Sequence, residues 1–124
     1  MIAPGHKKNL KLFIYSSCST CRRAIKWLKN NDISFDLIDI LNNPPSKPMV
    51  ISAAELYGDR KYLLNTTGLI YRSIGSDNVK KMSDNELYDK LIMEPRLIKR
   101  PFLYKSSKCL LVGFKEEKWA EKLL

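Results

Sequence analysis

The feature that most constrains this chain is the placement of Cys18-Ser19-Thr20-Cys21 between two stretches of different periodicity. Ahead of it, Leu10 to Tyr15 is a short apolar and aromatic run, which reads as a buried strand. Behind it, Ala24, Ile25 and Leu28 repeat at helical spacing, with Arg22, Arg23, Lys26 and Lys29 largely on the other faces. Ser16 and Ser17 supply a polar break and capping capacity between the two. A strand that turns directly into an amphipathic helix at a Cys-x-x-Cys predicts an α/β layering, with the cysteine pair at the turn.

The cysteine count narrows the chemistry. Three cysteines are too few, and odd in number, for a secreted disulfide framework. Structural zinc normally needs four nitrogen or sulfur ligands, and no second ligand pair accompanies Cys18 and Cys21; the one histidine, His6, lies in the polar N-terminal arm. Redox chemistry is what remains. At a helix start, free N–H groups and the helix dipole favour an anion, so a thiol there ionises more readily, and the thiolate is its reactive form. Arg22, four residues after Cys18, is expected one turn above it, adding positive charge, while Cys21 is expected deeper, beside Ala24 and Ile25. Within one helical turn the two sulfurs can reach disulfide geometry. Cys18 is therefore the candidate attacking thiol and Cys21 the candidate resolving thiol.

Two further positions need separate weighing. Cys109 follows a hairpin link at the start of an apolar strand and reads as a packed, unreactive thiol. Arg100 precedes Pro101, and an X-Pro bond entering a strand can be cis, which would hold Arg100 in a tight turn. Such a turn could bring Arg100 beside Cys18 to pair with an anion or thiolate. An ordinary surface arginine before an edge-strand proline explains the same residues.

Along the rest of the chain, a second strand is expected at Ile33 to Ile40, followed by an Asn42-Asn43-Pro44-Pro45 loop. Ser46 can cap a helix carrying Met49, Val50, Ala53, Leu56 and Tyr57, with Gly58 as its stop. A short segment around Leu63-Leu64 leads to a helix over Thr67 to Ile74. Ser83 and Glu86 form a capping box for a helix closed by Pro95. Pro101 to Tyr104 and Cys109 to Phe114 read as a hairpin joined by Lys105-Ser106-Ser107-Lys108, and Lys115 to Leu124 as a closing helix. The order β-α-β, helical middle, β-β-α predicts a mixed sheet flanked by helices. One domain of 124 residues is expected, with 10–41 and 98–124 as the core and 42–97 as an inserted helical lobe.

Composition excludes whole classes. A 44% hydrophobic content supports an ordinary core and argues against a disordered chain. No apolar run approaches the roughly 18 residues of a membrane span, and Met1 to Leu10 lacks a secretory signal, so a cytoplasmic protein without membrane contact is expected. The net charge of +9 is spread in short pairs such as Lys7-Lys8, Arg22-Arg23 and Lys80-Lys81, so it identifies no partner. Direct nucleic-acid binding is not expected. No GxGxxG or phosphate-binding loop is present.

Four segments together resemble one family: Cys18-Ser-Thr-Cys21-Arg-Arg-Ala24 after its strand, Leu63 to Arg72, Pro95 to Phe102, and Val112 to Trp119. In this order and spacing they resemble the arsenate reductase (ArsC) and Spx family, a branch of the thioredoxin-like fold, over Leu10 to Leu124. The resemblance implies a four-stranded mixed sheet, a nucleophilic Cys18, an anion-binding Arg100 and a cis Pro101. It also implies a small oxidised substrate, with a thiol reductant such as glutathione or thioredoxin as co-substrate and no bound cofactor or metal. A monomer is expected. In glutathione-linked arsenate reductases three arginines hold the oxyanion. Here Asn65 stands where the first is expected, with Arg72 nearby, and Leu110 to Phe114 contains no counterpart of the last. Losing two guanidinium donors to a dianion costs several kcal/mol, so efficient arsenate reduction is not expected. The paired cysteines resemble those of Spx and MgsR-like regulators, in which the pair is a redox switch and the partner is the RNA polymerase α subunit. The resemblance thus implies either a thiol–disulfide oxidoreductase or a redox-sensing regulator.

Overall fold

The computed structural model describes residues 10–106 and 108–124. His6, the Lys7-Lys8 pair and Ser107 of the hairpin link lie outside the described residues. Strand β1 (Leu10–Ile14) runs into helix α1 (Ser19–Asn30), then strand β2 (Asp36–Asp39). The helices α2 (Lys47–Tyr57), α3 (Leu69–Ile74), α4 (Ser76–Lys81) and α5 (Asp84–Met93) follow, with short 3-10 turns at Arg60–Leu63 and Pro95–Leu97. Strands β3 (Phe102–Lys105) and β4 (Lys108–Val112) and helix α6 (Glu116–Leu123) close the chain. Among the described residues no helix is long and apolar enough to cross a membrane.

The four strands lie in the order β2-β1-β3-β4. β1 pairs in parallel with β2 and antiparallel with β3, and β3 pairs antiparallel with β4. This is the mixed sheet of a thioredoxin-like fold, and side-chain alternation across it builds two cores. Leu10, Leu12 and Leu103 face α1 and α6, packing with Ala24, Leu28 and Trp119. Phe13, Phe102 and Tyr104 face the opposite way, against α2, α4 and α5. Strand alternation would put Cys109 and Leu111 on the same face. Leu103 pairs with Leu111 and Tyr104 with Cys109, so Leu110 is an extra residue and the face reverses. Cys109 therefore packs toward the helical middle and Leu111 toward α6.

Local chemistry explains the boundaries. The Ser83 hydroxyl accepts from Glu86 N–H (3.1 Å) and Glu86 Oε1 accepts from Ser83 N–H (3.0 Å), closing the expected capping box of α5. These hydrogen bonds favour the Glu86 carboxylate and lower its pKa. Gly58 ends α2 with φ of 72°, a left-handed conformation that residues with a Cβ adopt reluctantly. β2 is shorter than the expected Ile33 to Ile40: Ile33 turns into the core before the strand pairs, after Asp32 reverses the chain with φ of 55°. α4 was not expected, because six residues with only Val79 buried carry too little periodicity to read.

Candidate active site

The site is built where β1 hands over to α1. Cys18 is the N-cap of α1, with extended backbone angles (φ −96°, ψ 113°), and its sulfur accepts the Cys21 N–H at 3.2 Å. The capping position normally filled by a serine or aspartate oxygen is thus filled by a thiol sulfur. Cys18 is half-buried, whereas Cys21 is only 1% exposed. The Cys21 thiol is pushed up from 9.0 to about 12, first by burial and then by its hydrogen bond to Cys18; the Tyr15 backbone and the Arg100 charge offset this in part. One sulfur therefore faces the surface, and the other holds its proton behind it. Cys109 is buried, donates to Leu103 O (3.5 Å), and is also pushed up to about 12 by burial.

Arg100 stands on the same cleft as Cys18, and the Arg100–Pro101 bond is cis. One guanidinium nitrogen, Nη1, donates to Arg96 O and Ile98 O, both at 3.0 Å. Tyr15 lies beneath the guanidinium, 5.0 Å from ring centroid to carbon. The Arg100 Nε is buried and has no partner among the described residues. Pro101 is buried, and its carbonyl accepts Gly113 N–H at 2.8 Å.

Arg22 is exposed and does not line the cleft; Arg23 does. The expectation for Arg22 rested on helical spacing from Cys18. An N-cap residue has non-helical angles, so its side chain does not share the angular progression of the turns that follow. Arg72 is likewise absent from the lining, and Asn65 is present. The Asn65 side chain donates to Arg96 O (3.4 Å) and accepts from the Thr67 hydroxyl (3.1 Å).

The cleft has a volume of about 720 Å³. Its cations are Arg23, Lys99, Arg100, Lys115 and Lys118, and no Asp or Glu lines it among the described residues. The three lysines were not expected. Lys99 is adjacent to Arg100, and its backbone N–H donates to Leu63 O at 2.7 Å. Lys115 caps the N-terminus of α6, where a cation opposes the helix dipole. A basic residue in that unfavourable place was the available signal. Gly113, with φ of 77°, links the two sides: a Cβ here would stand 3.0 Å from Lys99 Cε. The Gly113 carbonyl accepts from Trp119 Nε1 at 3.0 Å. On the far wall, Tyr57 accepts from Val112 N–H (2.8 Å) and donates to Val112 O (3.3 Å), fastening α2 to β4.

A thiol N-cap after the first strand, a second thiol one turn on and a basic cleft define a thioredoxin-like protein of the paired-cysteine type. Residues 13–122 match the ArsC family, so this chain belongs to the ArsC family. It is 36% identical to the uncharacterized protein YusI of Bacillus subtilis (strain 168) over 115 residues, 91% of this chain and 97% of that protein. It is 28% identical to the global transcriptional regulator Spx of Lactiplantibacillus plantarum, covering 86% of this chain and 80% of Spx. The crystal structure of "a possible arsenate reductase" from Streptococcus mutans superposes with a TM-score of 0.81 at 36% identity, over 86% of this chain and 92% of that one.

Proposed function

We propose that this protein is a thiol–disulfide oxidoreductase in which Cys18 attacks a small oxidised anionic substrate and Cys21 resolves the product. The observation that carries this reading is the pairing of a half-buried Cys18 with a buried Cys21 whose backbone N–H donates to the Cys18 sulfur at 3.2 Å, at the edge of a cleft lined by five cations. Attack by the Cys18 thiolate on a mixed disulfide forms a new S–S bond and expels a thiolate. The Cys21 thiol, which holds its proton one helical turn from Cys18, supplies a proton to the leaving group. Cys21, thereby deprotonated, attacks Cys18 and releases the second product. Glutathione or thioredoxin then reduces the Cys18–Cys21 disulfide, without a bound cofactor. The protein works in this reading as a cytoplasmic monomer.

Arg100 is assigned the anion-binding role. Two backbone carbonyls and the Tyr15 ring fix its plane, and the unpaired Nε is the kind of buried donor that a ligand satisfies. Pro101 does not line the cleft and is assigned a supporting role, its carbonyl holding the cleft residue Gly113 through the N–H bond at 2.8 Å. The lysines add charge as points rather than as bidentate forks, so they attract an anionic substrate without fixing its orientation. Efficient arsenate reduction is not part of this reading, since neutral Asn65 stands where a guanidinium would be needed.

Similarity to Spx favours a second reading, a redox-sensing regulator that binds the RNA polymerase α subunit and does not turn over. Glutathione- and thioredoxin-coupled turnover assays separate the two. Turnover abolished by Cys18→Ser, with a trapped mixed disulfide in Cys21→Ser, establishes the enzyme. No turnover with any thiol substrate, together with retention of RNA polymerase α, establishes the regulator.

A further inference from the structure

A second groove adjoins the cleft and shares Arg23, Phe114 and Lys115 with it. It has a volume of about 610 Å³ and runs along α1 past Lys26 and Trp27 toward Asn30. Small-molecule sites typically occupy roughly 300–1,000 Å³. Cleft and groove joined end to end exceed that, and they are elongated: the twelve residues of α1 span about 18 Å. An extended polypeptide covers this length in about five or six residues.

The groove has the anatomy of a peptide site. Trp27 and Phe114 are both half-buried, with ring centroids 6.4 Å apart, and Trp27 rests edge-on against the fully buried Trp119 at 6.0 Å. A ring held by a buried neighbour is a rigid anchor, which loses little freedom when a partner covers it. Arg23, Lys26 and Lys115 supply the charge around these rings. Among the described residues the acidic members of the groove lining are Glu116 and Glu117, which sit in the first turn of α6, where the helix dipole already engages them.

We infer that, beyond small thiols, the trough takes a cysteine on an extended acidic segment of another protein, with its disulfide at Cys18 and a neighbouring apolar side chain over Trp27 and Phe114. This rests on the thiol-exchange reading of Cys18. The step balances without a further oxidant. The Cys18 thiolate displaces one thiolate from the partner's disulfide, and the Cys21 thiolate then releases the other. Two electrons pass from the cysteine pair to the partner, and the departing thiolates take up the Cys21 proton and one from solvent. A low-molecular-weight thiol restores the pair.

The test uses six-residue peptides bearing one cysteine activated as its thiopyridine disulfide, flanked either by Asp, Glu and Phe or by Lys and Phe. Free dithiodipyridine serves as the small neutral probe. Reduced full-length protein is expected to react with the acidic peptide at least about tenfold faster than with the basic one at low salt, within the range of electrostatic steering. Lys26→Glu on the exposed face of α1 removes most of that preference, and Trp27→Ala slows both peptides, while dithiodipyridine reacts as before in either variant. Acidic and basic peptides reacting within about twofold of each other overturn the inference, as does a Lys26→Glu effect shared equally by dithiodipyridine. If dithiodipyridine leaves Cys18 unmodified, the thiol-exchange reading fails and takes this one with it.

Discussion

The guanidinium carbon of Arg100 lies 5.0 Å from the centroid of the Tyr15 ring, so the residue that follows β1 forms the shelf on which the cleft's half-buried arginine rests. The Tyr15 carbonyl also accepts Cys18 N–H at 3.0 Å. One residue thereby sets both the position of the arginine and the start of the cysteine turn.

Because the ring alone makes the contact with Arg100, Tyr15→Phe is expected to turn over as the parent does. Tyr15→Leu keeps the backbone bond and removes the cation–π contact, whose worth of about 0.5–2 kcal/mol corresponds to a roughly two- to thirtyfold loss in kcat/KM. Steady-state kinetics with glutathione disulfide, read beside the melting curve of each variant, checks this. An equal loss in Tyr15→Phe and Tyr15→Leu contradicts it.

Burial separates the three thiols. With Cys21 1% and Cys109 2% exposed, iodoacetamide at neutral pH is expected to modify Cys18 alone in the native protein. Mass spectrometry of the digest after a short pulse reads this directly. Labelling of Cys109 ahead of Cys18 goes against it.

Stability should fall on the alkaline side. Cys21 and Cys109 keep their protons to about 12 when folded, against 9.0 ordinarily. From about pH 9 upward the unfolded chain releases thiol protons that the folded chain retains. It therefore binds fewer protons, and the stability present below that pH is lost as it rises. Cys109→Ala removes one of the two groups, so its stability is expected to decline less steeply than the parent's between pH 9 and 11 in urea melts. Parallel slopes refute the assignment.

Trp119 is fully buried, donates to Gly113 O at 3.0 Å, and meets Phe114 and Trp27 edge-on at 5.1 and 6.0 Å. Trp119→Ala is expected to cost about 3–5 kcal/mol, and Trp119→Phe less, since the ring packing partly survives. Denaturant titration of both variants measures this. A loss under about 1 kcal/mol in Trp119→Ala would show that α6 does not anchor the cleft wall.

Much of this architecture is written in short-range patterns. Ala24 and Leu28, with the partly buried Ile25, define the inward stripe of α1, Ser83 and Glu86 cap α5, and Ser46 and Gly58 bracket α2, because periodicity and capping depend on residues within a turn of one another. The presence of a cysteine pair where a strand becomes a helix was equally legible. The tertiary structure decided what that pair faces. Lys99, before β3, meets the cysteine turn and the Lys115–Lys118 start of α6 only because β3, β4 and α6 pack as they do. Arg23 rather than Arg22 reaches the cleft because Cys18 caps the helix instead of belonging to it. Local propensity acts over a few residues, whereas a charged cleft is assembled by long-range packing that no window of sequence contains.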